Sequence, residues 1–390
     1  MKRFFTILAV CCLLCCFAVC AFAAQESGLV AVSYRGDTTD APPNSLQAIE
    51  AAFDAGADWV SVSVQKTNDG VFVLLEDASL ASQTDGADGI AADYDAATIM
   101  ALHYRNMDGT VSGETVTTLE DALAAATGKG GLILDNAWAY RDELNALLGS
   151  RGAAVPVCLR TFDSAKKALQ WQPAGGAAVS VLAVYKGNVV MNAIAHWNRL
   201  SAAKQPLVQY QSKNYFNVFY QKFTDKRFLD FADVHALAPM YDEELCGLRS
   251  DDVVGWDDLF SRGFSAIETG NIRGLSAYIA QCQTERQALD AMLRSEVASS
   301  DAYSSASYDR YLAAKAEADA VCLNDRASLS QLQSAQSNLK AAQRLLTPAG
   351  EKDTRKGNFN LTPGKVVAIV VFGGLLLGFD VFVYKKKKRT

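Results

Sequence analysis

Arg35, Asn44, Glu76, Asp77, Asp135 and Glu268 are the residues of this chain with most chemistry to offer, each a polar group beside a short apolar run. Arg35, in Val32-Ser33-Tyr34-Arg35-Gly36, can grip a phosphate through its fork of N–H donors or pair with Asp77 or Glu76. Asp135 and Glu268 can form a cation site. Tyr34 and Trp59 can line a carbohydrate or glycerol pocket, or serve as core aromatics. Ser61 and Ser63, two apart, project from the same side of a strand. Their neutral hydroxyls are poor ligands for a hard divalent cation. A tyrosine, with a pKa of about 10, is a weak candidate for a base, and a glutamate serves as one only if burial raises its pKa. His103, His196 and His235 are the only histidines, and no Ser-His-Asp set, Gly-rich phosphate loop or zinc helix is recognisable.

These residues fall within an ordered series of motifs. After Tyr34-Arg35-Gly36 come Pro42-Pro43-Asn44-Ser45-Leu46, then Gly56-Ala57-Asp58-Trp59-Val60-Ser61-Val62-Ser63, then Thr67-Asn68-Asp69-Gly70 and Glu76-Asp77. In order and spacing the series resembles the opening of the glycerophosphodiester phosphodiesterase family, which runs His-Arg-Gly, Pro-Glu-Asn-Thr, Gly-Ala-Asp with Glu-x-Asp, Thr-x-Asp-Gly and His-Asp. Later landmarks of the resemblance are Leu132-Ile133-Leu134-Asp135, Thr161-Phe162-Asp163 and Gly263-Phe264-Ser265-Ala266-Ile267-Glu268-Thr269. It implies a (β/α)8 barrel whose carboxylates hold a metal and whose two histidines move protons.

The frame is kept while the implied chemistry is replaced. The histidine positions are Tyr34 and Glu76, and the Glu-x-Asp positions are Ser61 and Ser63. Pro43 replaces the glutamate beside Asn44, Ala137 falls at a usual strand-end lysine, and Gly270 stands at a late aspartate. Arg35, Asn44 and Asp77 remain as ligand-binding candidates, with Asp135 as a shortened metal ligand. The expectation is an inactive barrel that binds a glycerophosphodiester or cell-envelope ligand and carries no cofactor. Two alternatives stand beside it: a rearranged phosphodiesterase using calcium or magnesium, and a scaffold acting through its helical module.

The ends of the chain place it. Lys2-Arg3, an apolar run and Ala21-Phe22-Ala23 predict a signal peptide over residues 1–23. Residues 366–384 are apolar enough for a membrane span, and the basic tail 385–390 should stay cytoplasmic, which leaves the bulk outside the cell membrane. Removing both cationic ends from a formal net charge of −6 leaves a more acidic exported part, which excludes general nucleic-acid binding. Cys158, Cys246, Cys282 and Cys322 remain after the leader; they lack zinc spacing, and either a Cys282–Cys322 disulfide or buried thiols would fit.

Between the ends, strand-like runs at 29–33, 59–64, 72–75, 132–135, 155–159, 178–184, 234–238 and 264–267 alternate with amphipathic stretches. They predict an α/β fold, a TIM-type barrel over residues 28–281. Residues 283–346 predict a helical bundle. One stripe carries Tyr308, Tyr311, Leu312, Lys315, Ala318 and Cys322, and a second carries Leu332, Ala335, Leu339, Ala342 and Leu346. Ser328 and Gln331 form a capping box. The bundle is similar to small helical modules of Gram-positive surface proteins and can equally be a spacer. A polar linker, 347–363, leads to the membrane span.

Overall fold

The computed structural model describes residues 28–151, 155–163, 165–168, 170–171, 178–186, 207–211, 235–238, 251–261, 264–295, 297 and 299–351. The predicted signal peptide, membrane span, basic tail and most of the linker lie outside the described residues, as do His196 and Cys246. Among the described residues no helix is long and apolar enough to cross a membrane.

The chain falls into two units, the first comprising residues up to Gln287 together with Leu323–Leu332. Its centre is a closed ring of parallel strands. β1 (Val30–Tyr34) pairs with β2 (Trp59–Lys66), which also carries the short antiparallel β3 (Phe72–Leu74). β4 (His103–Arg105) and β5 (Val111–Thr115) form a separate hairpin. From β2 the ring continues through β6 (Gly131–Asp135), β7 (Val157–Thr161), β8 (Ser180–Lys186), β9 (Leu207–Gln211), β10 (His235–Ala238) and β11 (Ala266–Thr269), and β11 pairs back onto β1. This is a TIM-type barrel.

Two strand assignments differ from the sequence reading. The run at 72–75 is not a barrel strand: β2 extends past the ring, Thr67–Gly70 turns the chain back, and β3 pairs antiparallel with Val64–Lys66. Thr67 Oγ1 fixes that turn by donating to Asp69 Oδ1 at 2.6 Å, and Gly70 takes φ +94°. β9, which the sequence reading lacked, completes the eight.

Alternation sorts the strand residues. Val30 and Val32 of β1, Ile133, Cys158, Leu182 and Ala266 form one buried apolar cluster, with Trp59 packed against it. Trp59 therefore reads as core, not as a partner of Tyr34. Two residues further along the same strand faces stand Tyr34, Ser61, Asp135, Arg160 and Glu268, so the barrel passes from an apolar floor to a polar mouth at the C-terminal strand ends. Outside, α1 (Leu46–Asp54) buries Ala48, Ile49, Ala52 and Phe53, and Ser45 caps it by accepting from the Ala48 amide. α2 (Ala96–Met100) and α3 (Leu119–Ala126) are capped by Asp95 and Thr118 in the same way. α4 (Arg141–Arg151), α5 (Ala165–Ala168) and α6 (Val253–Ser261) precede β7, β8 and β11.

α7 (Ile272–Arg294), α8 (Ser305–Leu323) and α9 (Leu329–Arg344) follow the barrel strands. The predicted capping box is present: Ser328 N–H donates to Gln331 Oε1 at 2.9 Å, and Gln331 N–H to Ser328 Oγ at 3.4 Å. In the second unit the buried residues of α8 are Ser307, Tyr311, Ala314 and Ala318, while Leu312, assigned to the apolar stripe, is exposed. Ala335, Leu339 and Ala342 of α9 are buried as the spacing predicts. No disulfide joins Cys282 to Cys322; Cys158 and Cys282 are buried thiols. Burial pushes the Cys282 thiol up to about 11, so it stays protonated and unreactive.

Candidate functional site

The polar mouth begins at the end of β1, where the backbone turns sharply. Arg35 has φ +61° and Gly36 φ +92°. The left-handed turn lays the Arg35 guanidinium over the ring of its own neighbour Tyr34, 4.4 Å from the centroid. Arg35 Nη1 donates to Asp135 Oδ2 at 2.8 Å, and Nη2 lies 3.6 Å from Glu76 Oε1. Tyr34 OH donates to the same Glu76 oxygen at 2.6 Å. The two positions that the family resemblance assigns to proton transfer are thus bonded to each other.

Deeper in the barrel, Arg160 from β7 joins two strands that are far apart in sequence. Its Nη1 donates to Asp135 Oδ2 at 3.1 Å and its Nη2 to Glu268 Oε1 at 2.6 Å. The side chain of Arg160 is 1% exposed and that of Glu268 0%. Burial pushes the Glu268 carboxyl up, but the Arg160 guanidinium, the Ser61 hydroxyl and Arg35 outweigh it and hold Glu268 below the usual carboxylate range. Arg160 is likewise pulled down by burial and raised further by Asp135 and Glu268.

This coupling fixes a sign. A carboxylate depressed in the folded state contributes stability above its unfolded value of 4.5, and that contribution is lost as pH falls through the folded value. The urea midpoint of the full chain should therefore drop below about pH 4.5, and Glu268→Gln should flatten part of that slope. An identical slope in both proteins would remove Glu268 from the account.

The remaining candidates are placed differently. Asn44 (φ +64°) is buried, and its Oδ1 accepts from the Ser63 N–H at 3.1 Å while its own N–H donates to Arg35 O at 2.9 Å. It fastens the loop after β1 to β2. Asp77 is exposed and accepts from Ser82 Oγ at 3.2 Å; Arg35 pairs with Asp135 and Glu76 instead. His103 lies on the β4–β5 hairpin beside Asp85. Ser61 Oγ reaches Ser33 O at 3.4 Å. Arg160 was absent from the sequence reading; the available signal was a lone charge in Val157-Cys158-Leu159-Arg160-Thr161, one residue from a barrel strand's C-terminal end.

A divalent cation is what the family resemblance would place here, and the residues present do not fit one. Among the described residues, Asp135 Oδ1 and Ser63 Oγ are the buried oxygens of the mouth's cluster that lack a hydrogen-bonding partner, besides Ser33 Oγ. Calcium and magnesium need six or more oxygen ligands with carboxylates among them. The other Asp135 oxygen is held by two guanidiniums, and Glu268 by one. Among the described residues there is also no group of three His, Cys, Asp or Glu arranged to hold a metal.

Fold and mouth together define a TIM-type barrel protein with its polar cluster at the C-terminal strand ends. Residues 35–179 match the model of the Glycerophosphoryl diester phosphodiesterase family, so the chain carries a domain of that family. A glycerophosphodiester phosphodiesterase from Caldanaerobacter subterraneus is 29% identical over 103 residues, covering 26% of this chain and 42% of that protein. Human glycerophosphodiester phosphodiesterase 1 is 33% identical over 97 residues, 24% of this chain and 29% of the relative. The alignments thus span less than half of either relative. The crystal structure of a glycerophosphoryl diester phosphodiesterase from Parabacteroides distasonis superposes with a TM-score of 0.53 at 17% identity, over 66% of this chain and 88% of that one, a likeness of fold.

Proposed function

We propose that the chain is a non-hydrolytic relative of the glycerophosphodiester phosphodiesterases, held at the cell membrane by residues 366–384 with its barrel outside, and that it binds a glycerophosphodiester or cell-envelope ligand at the barrel mouth. The observation that carries this reading is the 2.6 Å bond from Tyr34 OH to Glu76. That bond engages the residues at the two proton-transfer positions with each other, neither of them a histidine, and each proton-transfer group lost costs on the order of 10²- to 10⁴-fold in rate. Serines at 61 and 63 supply no carboxylate to polarise a phosphoryl oxygen. Of the cluster, Tyr34 and Glu76 are reached by solvent, so an incoming ligand meets them before the buried arginines.

The full chain, purified in detergent, should release no glycerol phosphate from glycerophosphocholine with calcium, magnesium or chelator. Metal-dependent turnover would overturn the non-hydrolytic reading. Calorimetric titration with the same diester reads binding directly, and Tyr34→Phe should weaken it. Recovery of the full chain with membranes, and of a chain ending at residue 351 without them, tests the anchor.

A further inference from the structure

We propose that Arg160 carries, as a permanent part of the chain, the positive charge that a divalent cation would bring to this barrel mouth, and that its guanidinium keeps such a cation out. Arg160 reaches one oxygen of Asp135 at 3.1 Å and one of Glu268 at 2.6 Å, from a side chain that is 1% exposed. A calcium or magnesium ion would need the same oxygens at about 2.0–2.6 Å. It would also sit against two guanidiniums, since Arg35 holds the shared Asp135 oxygen at 2.8 Å. Arginine does not deprotonate in proteins, so the exclusion holds across working pH. The guanidinium differs from a metal in what it offers: its Nη1 and Nη2 groups are held by fixed carboxylates, and it has no coordination position at which a water could be acidified.

The geometry also orders the changes needed to recover a metal site. Ser63 is in register with Asp135 on the neighbouring strand, and Ser61 already bonds to Glu268. Carboxylates placed at 61 and 63 would meet the Arg160 fork before any metal. Restoring the family residues with Tyr34→His, Ser61→Glu, Ser63→Asp and Glu76→His is therefore insufficient while Arg160 stays.

Metal binding is measured without substrate, by calorimetry and thermal melting of full-length protein with calcium, magnesium or manganese chloride. The wild type and a Ser61→Glu, Ser63→Asp variant should show no binding and no shift in Tm between metal and chelator. Adding Arg160→Ala to that pair should produce sub-millimolar binding and a Tm that rises with metal. Three results would overturn the proposal: wild-type binding that weakens tenfold or more in Glu268→Gln, equal binding by the double and triple variants, or a folded triple variant that binds nothing. If the triple variant does not fold in either condition, the other two proteins decide, because binding by either refutes exclusion and silence from both supports it. The inference is separable from the lack of hydrolysis. Wild-type metal binding that depends on Glu268, without turnover, would sink this proposal alone, and turnover without metal would sink only the non-hydrolytic reading.

Discussion

Replacing Arg160 with methionine is expected to destabilise the barrel by about 3–5 kcal/mol, the range for removing one partner of a buried ion pair. Methionine preserves much of the stem's volume, so little of the loss comes from packing. Most of it comes from Glu268, which has 0% exposure and would lose its cationic neighbour at 2.6 Å. Asp135 would keep Arg35 at 2.8 Å and contribute less. Urea unfolding followed by tryptophan fluorescence measures the change. The double variant Arg160→Met with Glu268→Gln should recover a large share of it, because an amide carries no uncompensated charge. Equal losses in single and double variants would mean that packing, not charge, carries the effect, and a loss below about 1 kcal/mol would place the pair on the scale of a surface bridge.

Gly36→Ala is expected to cost at least about 3 kcal/mol, from two causes that a second glycine separates. At Gly36, φ is +92° and an added Cβ would lie 2.6 Å from the Ala48 carbonyl carbon and 2.7 Å from its Cβ. Those are atoms of α1, fixed by the Ser45 cap and by the Asp37 N–H donating to Ala48 O at 2.8 Å. They cannot rotate aside. Gly70 has nearly the same φ, +94°, yet the closest atom to its added Cβ is Lys66 Cε at 3.8 Å. Gly70→Ala should therefore show only the backbone penalty of about 1–2 kcal/mol. Melting curves of the two variants decide between conformation and space: equal shifts would show that the approach of α1 contributes nothing.

Much of the barrel is legible in its residues because the strands of a parallel ring are buried on both faces and read as apolar runs. Val30-Ala31-Val32 and Leu132-Ile133-Leu134 are such runs. The same rule misleads at Phe72-Val73-Leu74-Leu75, which is buried throughout but belongs to a hairpin, since periodicity does not reveal which strand a run pairs with. Leu207-Val208-Gln209-Tyr210-Gln211 errs the other way: its alternating glutamines hide a ring strand. At the mouth, local motifs locate Tyr34, Arg35, Ser61 and Asp135. They say nothing of Arg160, whose partners are separated from it by 25 and 108 residues and meet it only once the ring closes. A family pattern shows which residues have changed, whereas a compensating residue outside the pattern becomes visible only through its contacts.

Ring closure also governs how the chain can be made. β1 pairs with β2 soon after it emerges, but its other edge waits for β11, with Val30 meeting Ala266 and Ser33 meeting Thr269. Contacts so distant in sequence form slowly, because the entropy of closing the loop is lost before any of them contributes. Until residue 269 has been synthesised, one side of β1 is an open row of N–H and C=O groups. An incomplete chain ending before β11 would carry that edge permanently, together with a second along β10, and each is a template for another chain. Arg160 would then face Asp135 without Glu268, so the last strand brings in both the missing backbone partner and the missing charge.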